Sequence, residues 1–196
     1  MCRRFSVKDE IRSIFDAHSR VMAEVERKLA EPIAAAVDCV ADALGKGRKL
    51  LVMGNGGSAA DAQHFAAEIV GRFRLERRAL PAIALTTDTS ILTAVGNDYG
   101  FDQVFRRQVE ALAEEGDVVV GISTSGTSNN VYGALLLAGE RGCRTIGLLG
   151  RDGGTIAGIV DIPLTIPAQE TPRIQEAHVT IIHLICELVE KRLFGE

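Results

Sequence analysis

Lys49-Leu50-Leu51-Val52-Met53-Gly54-Asn55-Gly56-Gly57-Ser58-Ala59 runs from an apolar strand through a glycine-rich turn into a helical pattern. A short apolar run closed by glycine reads as a buried strand. A strand that turns into a helix through glycines leaves free backbone N–H groups at the positive end of that helix, a geometry suited to phosphate. A second run of this kind, Ser123-Thr124-Ser125-Gly126-Thr127-Ser128, follows the strand Asp117-Val118-Val119-Val120-Gly121-Ile122. Two such loops make a phosphorylated small molecule the expected ligand.

The same alternation continues in both directions. Strands are expected at 49–53, 82–85, 117–122, 144–149 and 161–166, and helices at 59–73, 89–96, 102–114, 129–141 and 154–158, with a last helix over 172–193. Residues 7–44 read as two helices broken near Glu31-Pro32. Short Val/Ile/Leu strands alternating with helices predict an α/β fold: a three-layer αβα sandwich around a five-stranded parallel sheet, preceded by N-terminal helices, in one domain over 1–196. Ligands of such sheets bind beyond the carboxyl ends of the strands, where strand order reverses. Both glycine and serine loops lie at that edge, as does Thr86-Thr87-Asp88.

At 196 residues the chain can bury a full core. Its net charge of -4 argues against non-specific attraction to nucleic acid. It has no apolar run of the about 18 residues a membrane span needs. Met1-Cys2-Arg3-Arg4-Phe5-Ser6 lacks the apolar stretch of a signal peptide, so a cytoplasmic location is expected. Cys2, Cys39, Cys143 and Cys186 form no CxxC and read as reduced thiols, with Cys39 and Cys186 in the core. The last helix carries Ile174, Ala177, Ile181, Ile182, Leu184, Ile185, Leu188 and Val189, wider than one apolar stripe, which predicts a homo-oligomer.

Gly54-Asn55-Gly56-Gly57-Ser58-Ala59 also fits the dinucleotide fingerprint G-x-G-x-x-A, but Asp88 lies too far on to be its ribose-binding acid. The second loop places five hydroxyls around Gly126, where capping alone needs one, so phosphate binding is favoured. His64 and Glu68, four apart, share a helix face, as do Gln175 and His183, eight apart. Spacing alone favours a surface pair for the first two and a core histidine for His183. His18 and His178 show no comparable partner and read as surface positions, with His178 and Glu176 facing away from the site.

Four blocks in order change that balance. Gly54-Asn55-Gly56-Gly57-Ser58 with Asp61, His64 and Glu68; Gly96-Asn97-Asp98-Tyr99-Gly100; Gly121-Ile122-Ser123-Thr124-Ser125-Gly126 with Ser128; and Arg173-Ile174-Gln175-Glu176 with His178 and His183 closely resemble the phosphoheptose isomerases, which have the flavodoxin-like sugar-isomerase (SIS) fold. The resemblance covers the chain from about residue 10 onward. It implies a homotetramer with active sites between subunits and with the segment 7–44 in the oligomer contacts. It implies conversion of sedoheptulose 7-phosphate to D-glycero-D-manno-heptose 7-phosphate, the first step toward nucleotide-activated heptose for lipopolysaccharide or other surface glycans. It implies one zinc ion per subunit on His64, Glu68, Gln175 and His183. It places the sugar phosphate on Ser123, Thr124, Ser125 and Ser128, with Asn55, Gly56, Gly57, Ser58, Glu68, Asn97, Asp98 and Gln175 as further substrate contacts. Glu68 is then the expected base and His183 its partner acid/base, with Asp61 orienting substrate or histidine, or complementing the helix dipole. Thr171-Pro172 departs from relatives that carry an acid there, although Pro suits a helix start. Two alternatives remain: a non-catalytic protein of the same fold that binds the bacterial replication initiator, and a sugar-phosphate-sensing module.

Overall fold

The computed structural model describes residues 6–195. Cys2 and the rest of Met1–Phe5, read above for a signal segment, lie outside the described residues. Five parallel strands, β1 (Leu50–Gly54), β2 (Ala82–Ala84), β3 (Val118–Ser123), β4 (Arg144–Gly150) and β5 (Ile162–Ile166), are arranged in the order β2-β1-β3-β4-β5. Every residue of β1 and β3 is buried, as runs without alternation require when helices cover both faces. Leu50, Val52, Val118, Val120, Ile146 and Leu148 point to one core, and Leu51, Met53, Val119 and Leu149 to the other. On the first face lie α1 (Val7–Gly45), α2 (Gly57–Val70) and α6 (Thr171–Phe194). On the second lie α4 (Arg106–Leu112) and α5 (Asn129–Glu140), with α3 (Thr89–Tyr99) packed at its margin. Strand order reverses between β1 and β3, so the loops that follow them sit side by side.

All five expected strands are present. The N-terminal segment differs: α1 is one helix with Pro32 inside it, not two helices. Proline there removes the hydrogen bond to the Lys28 carbonyl and costs about 3 kcal/mol in a helix interior. The apolar stripe Val25, Leu29, Ile33, Ala36, Val37 and Val40 runs through the proline without a break, and its burial against the core offsets that cost. The segment 102–114 divides into a 3-10 turn (Phe101–Gln103) and α4. The helix expected at 154–158 is a run of turns. There the Ile156 N–H donates to the Gly126 carbonyl at 3.0 Å, and a Cβ on Gly126 would stand 2.2 Å from the Gly153 oxygen. The segment is therefore drawn flat against the serine loop. No helix among the described residues is long and apolar enough to cross a membrane. Cys143 and Cys186 are buried, Cys39 is half-buried, and all three are free thiols.

His178 corrects the sequence reading most sharply. It is fully buried against the sheet, and Nε2–H donates to the Leu149 carbonyl at 3.1 Å while Nδ1 has no partner. Burial holds its pKa down at about 4 against an ordinary 6.5, with the Leu149 bond pulling weakly the other way. Below pH 6.5 the unfolded chain binds a proton that the folded chain refuses. Stability is thus full above about 6.5 and falls by roughly 3 kcal/mol as pH drops toward 4. His178→Gln keeps a donor for Leu149 but cannot titrate. Urea unfolding at pH 7.5 and 5 should show that this variant loses less stability on acidification than wild type; equal losses would exclude His178 as the source.

Candidate active site

The first loop is shaped by what its glycines lack. Gly56 has φ 57° and ψ -121°, a conformation open in practice only to glycine. A Cβ on Gly54 would meet Ser58 at 2.8 Å, and one on Gly57 would meet Gln175 Nε2 at 2.3 Å. Ser58 is buried beneath the turn. Asn55 and Asn130 exchange two amide hydrogen bonds of 2.9 Å, and Asn130 Oδ1 also accepts from the Val131 N–H. This pair joins the two loops across the switch point. Sequence reading missed Asn130, although two asparagines directly after a serine loop were a signal that the start of α5 is used.

The second loop ties its hydroxyls to one another. Ser123 Oγ lies 2.9 Å from Ser128 Oγ and 3.4 Å from Ser125 Oγ, and accepts from the Gly126 N–H at 3.1 Å. Thr127 donates to Ser125 Oγ through both its N–H and its hydroxyl. Ser128 occupies the N-cap position of α5, yet its side chain makes no cap bond. Its hydroxyl turns to Ser123 instead, so simple capping does not explain this serine cluster. Hydroxyls and the amides at the start of α5 together make a cradle of donors of the kind that suits a phosphate's oxygens.

The helices carry the titratable groups. His64 Nε2 lies 2.9 Å from His183 Nε2 and 3.5 Å from Glu68 Oε1. The ring centroids of His64 and His183 are 5.1 Å apart, and the Phe73 ring lies 5.4 Å from that of His183. His183 is therefore not a solitary core histidine, and His64/Glu68 is not a plain surface pair. Asp61, one turn before His64, is half-buried with Oδ2 unpartnered. Burial lifts its carboxyl above the ordinary range, while His64 pulls it down.

Other expected residues fall elsewhere. Gln175 lies beside Gly57 and so belongs with the first loop. It stands eight residues from His183 on α6, about 12 Å along the helix. One subunit therefore does not bring Gln175 to the His64/His183 cluster. Asn97 and Asp98 occupy the exposed last turn of α3, bonded to each other at 2.7 Å. Asp88, too distant for a dinucleotide acid, caps α3 through the Ile91 N–H. His18 does have a partner, Glu176, at 2.8 Å. Among the described residues no group of three or more His, Cys, Asp or Glu forms a ready metal cage. The donor types still suit a zinc ion: two imidazole nitrogens face each other, with a carboxylate oxygen alongside.

With this geometry in hand, the chain can be set beside known proteins. Residues 14–150 match the model of the SIS domain. A phosphoheptose isomerase of Geotalea uraniireducens is 73% identical over 95% of this chain and 99% of its own. The structure of phosphoheptose isomerase GmhA from Neisseria gonorrhoeae superposes with a TM-score of 0.90 at 48% identity, over 95% of this chain and 100% of that one. A phosphoheptose isomerase structure from Francisella tularensis gives a TM-score of 0.92 at 38% identity, with the same coverage.

The hydroxyl cradle can be tested directly. Ser123→Ala combined with Ser125→Ala removes two hydroxyls of the cluster and leaves the backbone amides. Affinity for a sugar phosphate, measured by calorimetry, should fall at least about tenfold, consistent with lost charge-assisted hydrogen bonds. Unchanged affinity would remove the loop from phosphate binding.

Proposed function

The chain belongs to the phosphoheptose isomerases of the SIS-domain family, and on that premise we propose how its residues interconvert sedoheptulose 7-phosphate and D-glycero-D-manno-heptose 7-phosphate. It is an aldose–ketose isomerase. The observation that carries the mechanism is the meeting of His64, Glu68 and His183 at the seam of α2 and α6. A module that only sensed or relayed a sugar phosphate would need the serine cradle but not this cluster. The same holds for a non-catalytic protein docking on the replication initiator.

Isomerisation moves a proton between C1 and C2 through a cis-enediol and shifts another between the two oxygens. Ser123, Thr124, Ser125 and Ser128 grip the phosphate, while Asn55, Gly56, Gly57 and Ser58 line the neighbouring turn. The reacting end then extends along α2, on which His64 lies seven residues beyond Gly57, about 10 Å. Glu68 removes the carbon-bound proton and returns it to the adjacent carbon. Its Oε1 faces His64, and Oε2 has no hydrogen bond among the described residues, leaving one oxygen for the proton. His183 likewise presents Nε2 to His64 and keeps Nδ1 for transfer between the sugar oxygens.

His64, Glu68 and His183 would hold one zinc ion per subunit, joined by Gln175 from a second copy. A zinc ion bound there would supply Lewis-acid chemistry, polarising the carbonyl and stabilising the enediolate charge. The homotetramer is supported by unpartnered apolar surface. Val7, Ile11, Ile14 and Phe15 form an exposed stripe on α1, and Leu184 and Leu188 stand exposed on α6. Asn97 and Asp98, exposed at the end of α3, would likewise reach the substrate across such an interface. The product would supply nucleotide-activated heptose for lipopolysaccharide or another surface glycan. Free Cys39, Cys143 and Cys186 support a reducing, cytoplasmic setting.

Glu68→Gln keeps the shape of the side chain and removes the base. Its kcat should fall by about 1,000-fold, in the range of general-base deletions, with circular dichroism unchanged; wild-type turnover would overturn the assignment. Dialysis against a chelator should remove about one zinc per subunit, by elemental analysis, and lower kcat at least about tenfold until zinc is restored. Full activity in metal-free protein would exclude a catalytic ion.

A further inference from the structure

Arg77 and Glu190 form an ion pair whose side chains are only 1% and 2% exposed, and no step above uses either residue. The Glu190 carboxylate accepts the N–H groups of Phe73, Arg74 and Leu75 at 2.7, 2.8 and 2.9 Å, and Arg77 Nε–H at 2.9 Å. The remaining guanidinium N–H groups donate to the carbonyls of Ile69 at 2.9 Å, Glu68 at 3.0 Å, Arg78 at 3.0 Å and Gly71 at 3.3 Å. The last carbonyls of a helix have no partner within it, and α2 has no basic side chain in its own last turn. Arg77 supplies that cation from the following loop, where it also complements the negative end of the helix.

Two of these contacts reach the reaction centre. One carbonyl bound by Arg77 is that of Glu68 itself. One N–H held by Glu190 is that of Phe73, whose ring lies against His183. A buried ion pair seldom adds net stability over apolar residues of the same shape, but it fixes geometry through many directional bonds.

Resting on the roles given above to Glu68 and His183, we propose that Arg77 and Glu190 are a positioning pair for the isomerase reaction. Through the Glu68 carbonyl they set the height of the base at the end of α2. Through Phe73 they set the plane of the His183 ring. The serine cradle that holds the phosphate lies on other elements, β3 and α5, so the pair acts chiefly on kcat and far less on KM.

The test uses the metal-loaded enzyme with Glu190→Gln, Arg77→Lys, Phe73→Leu and Phe73→Tyr, assayed well below each melting temperature. Glu190→Gln and Arg77→Lys should lower kcat about tenfold or more, as small displacements of catalytic groups do, with KM within about twofold. Phe73→Leu leaves the ion pair intact and should lower kcat in the same way. Phe73→Tyr keeps the ring and should recover most of that loss. The combination of Glu190→Gln with Phe73→Leu should cost less than the product of the two single effects, because both act through His183. Wild-type kcat in folded Glu190→Gln, or losses confined to melting temperature or KM, would overturn the proposal. If Glu190→Gln does not fold, the Leu/Tyr contrast at Phe73 decides. Full turnover in Glu68→Gln would instead defeat the assignment of the base. Loss there, with wild-type kcat in Glu190→Gln and Phe73→Leu, defeats the positioning role alone.

Discussion

The parallel alignment of α2 with α6 is the constraint on which the reaction centre depends. At their N-terminal ends the two helices meet where the Gln175 amide lies over Gly57, in space that a Cβ would contest. From that contact His64 lies seven residues along α2 and His183 eight along α6, so their heights differ by about one residue rise, 1.5 Å. The two imidazoles then meet at the seam. At the far end Arg77 and Glu190 tie the last carbonyls of α2 to α6. Between these ends Ala62, Phe65 and Ile69 share one core with Ile181, Ile182 and Ile185. A slip of one helix by a single turn, about 5.4 Å, would cost the glycine contact, the histidine pair and the buried ion pair together. The register is therefore specified by several unlike interactions, and the geometry of the site follows from it.

This arrangement divides binding from chemistry. Phosphate binding is assigned to the point where strand order reverses, on loops whose shape is fixed by Gly54, Gly56 and Gly126 and by the Asn55–Asn130 pair. Proton transfer is assigned to side chains on helices, whose positions are set by packing on one face of that sheet. Rigid backbone suits an anion, because amides and hydroxyls must surround it before it arrives if their ordering is not to weaken binding. Side chains on helices suit the reaction, because carboxylate and imidazole must approach within hydrogen-bond reach of carbon and oxygen.

Sheet strands were legible because all five are short apolar runs bounded by turn residues, and burial on both sides leaves no other reading. The two loops were legible because glycine and serine clusters have few other uses at strand ends. What the sequence concealed depends on contacts between distant segments. Pro32 looks like a break until the stripe around it is seen buried on both sides. His178 looks polar until it is placed under Leu149, and Asn130 looks ordinary until it faces Asn55. Spacing gave His64 and Glu68 a common face but could not show that His183 lies opposite them. That knowledge came from the resemblance of four blocks to a known family, and the structure supplies its physical reason.

The proposed ligand set and the proposed assembly stand or fall together. Gln175 and His183 lie on the same side of α6 but more than two turns apart, and side chains of a helix all lean toward its N-terminus. Leaning the same way, the two cannot converge on one point from one helix. A centre that includes both must draw them from two subunits, with the His64/Glu68/His183 cluster of one chain facing the Gln175 end of another. The face that would have to be covered already carries exposed Leu184 and Leu188 beside α1, on the same helix as both ligands. An isomerase built as proposed would be incomplete as a monomer for a geometric reason: each α6 would serve its own cluster with one end and a neighbour's with the other.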